Sequence, residues 1–102
     1  MSNQRHVIVL FTLKNHELFS REDFREQLTR FVRLTRRAPG NLLSVLLKST
    51  DDPAEMCFSQ VWESQEALDA HLESDYFRDF APLIGKHIYS LAPRFMTEVA
   101  SV

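Results

Sequence analysis

Trp62-Glu63-Ser64-Gln65-Glu66-Ala67-Leu68-Asp69-Ala70-His71-Leu72 is where the chain passes from one periodicity to another. The residues before it alternate as in a strand, Ser64 offers a hydroxyl to open a helix, and the residues after it follow helical spacing. On a helix turning ~100° per residue, His71 falls near the middle of the arc holding Ala67, Leu68, Ala70 and Leu72. Glu66, Asp69 and Glu73 take the opposite side as solvated charges. An ionisable ring is thereby aimed at the sheet, where it must be either satisfied or used.

Upstream, Ala54 to Glu63 reads as a strand and Leu42 to Lys48 as another, joined by the turn formers Ser49-Thr50-Asp51-Asp52-Pro53. So short a connection makes the two antiparallel neighbours. His6 to Leu13, with Val7, Ile8 and Val9 branched at Cβ, is a first strand that ends at Lys14-Asn15-His16-Glu17. Ser20 then offers an N-cap, with Asp23 at the reciprocal position, for a helix running to about Arg37. Phe24, Leu28, Phe31, Val32 and Thr35 form its buried stripe, and Pro39-Gly40 closes it. Downstream, Ser74 or Asp75 caps a short helical piece with Tyr76, Phe77, Phe80, Leu83 and Ile84, which Gly85 is expected to end. His87 to Val99 supplies the last strand, with Pro93 at an edge or bulge. The order β-α-β-β-α-β predicts an α+β, ferredoxin-like fold: a four-stranded antiparallel sheet with the helices on one face.

The 102 residues make one expected domain, 1–102, small enough that its own core is limited. A net charge of -2 and no basic stretch beyond Arg33 to Arg37 argue against nucleic acid as a partner. No apolar run approaches the ~20 residues a bilayer requires. The N-terminus carries no cleavage signal, so a cytoplasmic protein is expected. Cys57, the one cysteine, reads as a packed thiol between Met56 and Phe58.

Both faces of the predicted sheet are apolar. Val7, Val9, Phe11 and Leu13 oppose Ile8 and Leu10; Leu43, Val45 and Leu47 oppose Leu42 and Leu46; Met56, Phe58 and Trp62 oppose Cys57 and Val61. Helices cover one face only, so the other calls for a second molecule, most simply a copy of the chain in an isologous homodimer.

His71 is left with two readings, a structural imidazole satisfied by backbone or a proton-handling group at a pocket between helix and sheet. Trp62 shares a strand face with Phe58 and Met56, and its indole N–H can serve a polar partner. Tyr76 and Tyr89 carry phenols with either role, and Asn41 reads as a turn amide. His6, His16 and His87 lie scattered without metal-binding spacing. With only two glycines in the chain there is no phosphate-cradling loop, hence no flavin or nicotinamide fingerprint.

Ala38-Pro39-Gly40, Asp51-Asp52-Pro53, Trp62-Glu63-Ser64, Glu66-Ala67-Leu68, Ala70-His71-Leu72 and Ser74 through Phe77 occur in an order that resembles the antibiotic biosynthesis monooxygenase domain family. The resemblance implies a dimeric α+β barrel of two sheets back to back, with a pocket in each subunit. It also implies a cofactor-independent monooxygenase, in which a deprotonated phenolic or quinol-type aromatic substrate reduces dioxygen directly, without metal or flavin. On that basis His71 is the expected base, Tyr76 a hydrogen-bond donor to the developing anion, and Phe58, Trp62, Phe77 and Phe80 the substrate-binding walls. Haem-degrading relatives place an Asn, a Trp and a His where this chain has Ile8, His71 and Ala81, which speaks against haem ligation in that mode. Two alternatives remain open at this point: a small-molecule isomerase on the same barrel, and a ligand-binding dimer without catalysis.

Overall fold

The computed structural model describes residues 3–100. Among them the order is β1 (Arg5–Leu13), a 3-10 turn (His16–Ser20), α1 (Glu22–Arg37), β2 (Asn41–Lys48), β3 (Glu55–Trp62), α2 (Gln65–Leu72), α3 (Asp75–His87) and β4 (Ile88–Met96). The strands form one antiparallel sheet in the order β2-β3-β1-β4, which is the expected ferredoxin-like arrangement with a second helix broken into two. No helix of the described residues is long and apolar enough to cross a membrane.

Alternation decides which strand residues meet the helices. Val7, Phe11 and Leu13 of β1 and Met56, Phe58 and Trp62 of β3 are buried; Phe11, Leu13, Met56 and Phe58 pack with the stripe Phe24, Leu28, Phe31 and Val32 of α1, whereas Val7 and Trp62 form a second cluster with Leu68 of α2. Thr35 completes that stripe and donates from Oγ1 to the Phe31 carbonyl at 2.8 Å, which satisfies a hydroxyl the core would otherwise leave bare. Phe31 and Phe80 stack at 4.1 Å, joining α1 to α3 over the sheet.

Three local expectations are corrected. Ser20 does not cap α1: it ends the 3-10 turn, its hydroxyl donates to the Glu17 carbonyl, and Arg21 occupies the cap position without a side-chain capping hydrogen bond. Asn15, in the stretch expected to end the first strand, caps that turn by accepting from the Glu17 N–H. Gly85 does not end α3, which runs on to His87 with Pro82 inside it. Glycine stops a helix by adopting a left-handed conformation, and among the described glycines only Gly40 does so, with φ +83°. In β2, Leu42 is exposed at 52% because the register slips between Asn41 and Leu43, and Ser44 takes the buried place with Leu46 behind it. Pro93 does sit on an edge strand, opposite Val9.

The second face of the sheet is as apolar as its alternation suggests. Leu43 and Leu47 of β2, Leu10 of β1 and Met96 of β4 remain substantially exposed there, around Ile8, Val45, Cys57 and Val61. Burial pushes the Cys57 thiol above its ordinary range, in keeping with a packed side chain.

Candidate active site

Ser64 Oγ accepts from the Ala67 N–H at 3.1 Å and Ser74 Oγ from the Phe77 N–H at 3.3 Å, so two serine caps fix the starts of α2 and α3. Between those caps α2 is only two turns long, and its last turn delivers His71 to the interior. Ser74 Oγ also donates to the His71 carbonyl at 2.6 Å, tying the histidine backbone to the start of α3.

The imidazole is 4% exposed. Trp62 lies against it at a centroid separation of 4.6 Å, Phe77 meets it edge-on at 5.3 Å, and Phe31 approaches at 5.9 Å. Its Nδ1 is hydrogen-bonded to the Tyr76 hydroxyl at 2.5 Å. Desolvation by these apolar neighbours pushes the His71 pKa down to about 4, so the ring is neutral near pH 7. Burial raises the Tyr76 phenol above its ordinary range, an effect opposed by hydrogen bonds with the Ser74 and Thr35 hydroxyls.

His71 lines a cavity of about 210 Å³ between the sheet and the helices. Phe58, Phe77 and Phe80, three of the four expected wall residues, line it as well, together with Phe31, Leu68, Leu72 and the cavity-facing side of β4 at Leu91, Pro93 and Phe95. The described lining contains no acidic residue, lysine or arginine. Trp62 is placed differently, fully buried behind His71 and outside the lining. Tyr76 also stands outside it, facing an outer groove with Ala38, Pro39, Ala67 and Ala70 that His71 borders too. The imidazole therefore separates the inner cavity from this groove, with the phenol on the outer side. His6 and Asn41 lie away from the cavity, and Tyr89 is 78% exposed.

Gln60, which the sequence reading passed over, lines the cavity and is 5% exposed. Its Oε1 accepts from the Trp62 indole N–H at 3.0 Å. The signal was present in the alternation: a carboxamide in phase with Met56, Phe58 and Trp62 has to face the core.

A family model described as antibiotic biosynthesis monooxygenase matches residues 6–83, most of the chain. The chain belongs to this family. Among solved structures, a Nitrosomonas europaea protein of the same family description is similar at TM-score 0.85 and 18% identity, covering 97% of this chain and 93% of that one. SnoaB, a cofactor-independent oxygenase from Streptomyces nogalater, is similar at TM-score 0.84 and 17% identity, covering 99% and 98%. A Mycobacterium tuberculosis protein follows at 0.82 and 21%, covering 96% and 97%. At these identities the likeness is one of fold. No curated protein matches the chain.

Proposed function

We propose that this antibiotic biosynthesis monooxygenase family protein is a cofactor-independent monooxygenase for a small phenolic or quinol-type aromatic compound, with His71 as the base. The observation that carries this reading is a neutral imidazole at the wall of an apolar, largely aromatic cavity. Such a cavity suits an oxidation that runs through a substrate carbanion or phenolate, because apolar walls solvate an electron-rich anion poorly and leave it reactive toward dioxygen. The similarity in fold to SnoaB, a cofactor-independent oxygenase, supports the same direction.

His71 removes the phenolic proton, and the resulting anion passes electrons to dioxygen while a carbon–oxygen bond forms. The imidazolium returns the proton to the distal oxygen of the peroxide. Loss of the remaining hydrogen on that carbon as a proton, with cleavage of the O–O bond, gives a carbonyl and water, so both oxygen atoms are accounted for. An imidazole with a pKa of about 4 is a weak base in the empty cavity. A phenolate forming beside it supplies the opposite charge that the apolar walls lack, and this raises its basicity only when substrate is present.

The exposed second face of the sheet is assigned to a second copy of the chain. Sedimentation equilibrium at micromolar concentration should then give twice the 11.9 kDa chain mass. A small-molecule isomerase acting on phosphorylated compounds is not favoured, since the described lining has no lysine or arginine to hold a phosphate. The test of the catalytic reading is oxygen uptake with a panel of one-ring and two-ring quinols. His71→Ala should lower kcat by about 10²-fold or more, the usual contribution of a positioned base. Unchanged uptake in that variant overturns the assignment of the base, and turnover without oxygen uptake overturns the reaction class.

A further inference from the structure

Gln60 and His71 are the only side chains of the described cavity lining that can hydrogen-bond; the rest is aliphatic or aromatic. His71 is taken up by the base role proposed above. Gln60 has no role there, although burying a carboxamide beside an apolar cavity is costly unless both of its ends are used.

Its orientation is fixed from outside the cavity. The Trp62 indole N–H is a donor only, so it selects the oxygen end of the carboxamide, and it does so at 3.0 Å from a fully buried ring. The nitrogen end is the one left to donate. Ser44, directly across the β2–β3 pair from Gln60, has a buried Oγ without a hydrogen-bond partner, so the amide is not engaged by the nearest hydroxyl acceptor on its strand neighbour. Val7, on the other side, has nothing to offer it.

We propose that Gln60 is a specificity-determining residue whose Nε2 donates a hydrogen bond to an acceptor oxygen, carbonyl or quinoid, of the bound ligand, with Trp62 as the positioning residue that keeps the donor end available. The site thus requires an aromatic compound with two oxygen functions: an acidic hydroxyl for His71 and a second oxygen that accepts from Gln60. At about 210 Å³ the cavity lies below the ~300–1,000 Å³ of drug-sized pockets, which limits the ligand to about one or two rings. The two-point requirement rests on the base role of His71; the hydrogen bond from Gln60 does not.

The test uses a matched pair, 6-hydroxy-1-tetralone and 5,6,7,8-tetrahydro-2-naphthol, which share a phenol and a bicyclic skeleton and differ in the ketone. Affinities are measured by calorimetry under nitrogen, so turnover does not enter. The wild-type protein should bind the ketone about fivefold to tenfold more tightly, the worth of one buried hydrogen bond. In Gln60→Leu the ratio should fall to near one while the ketone-free phenol binds as before. Trp62→Phe keeps Gln60 but releases its oxygen end, and the ratio should shrink there too, which serves if Gln60→Leu does not fold. A wild-type ratio near one, a ratio that persists in either variant, or no binding of either probe overturns the proposal. Binding with the expected ratio but no oxygen uptake by any phenol would remove the oxygenase reading and leave the Gln60 assignment standing.

Discussion

His71 is held neutral by its surroundings, and that has a direct thermodynamic consequence. Its folded pKa of about 4 lies below the ordinary 6.5, so between those values the unfolded chain binds a proton that the native protein refuses. The contribution to stability is complete above pH 6.5 and is lost as pH falls toward 4, amounting to at most about 3 kcal/mol. Urea midpoints measured at pH 7 and pH 4.5 should therefore differ more in the wild type than in His71→Leu. For the same reason, the acid limb of kcat/KM should lie near pH 4 rather than 6.5. Tyr76→Phe removes the partner of Nδ1, which sets the tautomer and the ring angle. It is expected to lower kcat by about tenfold with little change in KM, since the phenol lies outside the cavity lining. The histidine's inward direction was legible from its place among Ala67, Leu68 and Ala70. Its partner was not: the Ser74 cap marks the break between the helices, but the angle at which α3 leaves α2 and sets Tyr76 beside the ring is decided by tertiary packing.

At the scale of elements, the two glycines have opposite roles. Gly40 closes α1 at φ +83°, and a Cβ there would lie 2.5 Å from the Ala67 Cβ, so Gly40→Ala should cost more than the ~1–2 kcal/mol of left-handed strain alone. Gly85 lies within α3 with open space around its missing Cβ, and Gly85→Ala should stabilise the protein by about 0.5–1 kcal/mol. Thermal or urea unfolding of the pair distinguishes the two signs. The caps divide in the same way. Ser64→Ala should cost about 1 kcal/mol, whereas Ser20→Ala should stay within about 0.5 kcal/mol because its hydroxyl caps nothing in α1. Periodicity found the α1 stripe residue for residue, as Phe24, Leu28, Phe31, Val32 and Thr35 are all buried. It misplaced the end of α3 because a glycine in sequence signals a stop only if the backbone there turns left-handed, and that choice is made by what packs around it.

For the whole molecule, strand order and layering followed from element order, because a two-helix, four-strand chain with short β2–β3 connection has few ways to pair. The cavity did not follow. It lies along β4, an edge strand whose Leu91 and Phe95 line it while remaining 42% and 57% exposed. The dimer is tested here as well: Leu10→Glu places a charge at the middle of the second sheet face, where Leu10 is 45% exposed, and should yield a folded monomer by sedimentation with the His71–Tyr76 contact intact.

Pro93 sits in a strand that has a neighbour on one side only. Lacking an amide proton, it cannot donate to a ladder, so β4 is a poorer template for a foreign strand than an edge with a donor at every position. Ribbon extension is thereby discouraged along that rim, while the greasy flat side stays open to face-to-face contact.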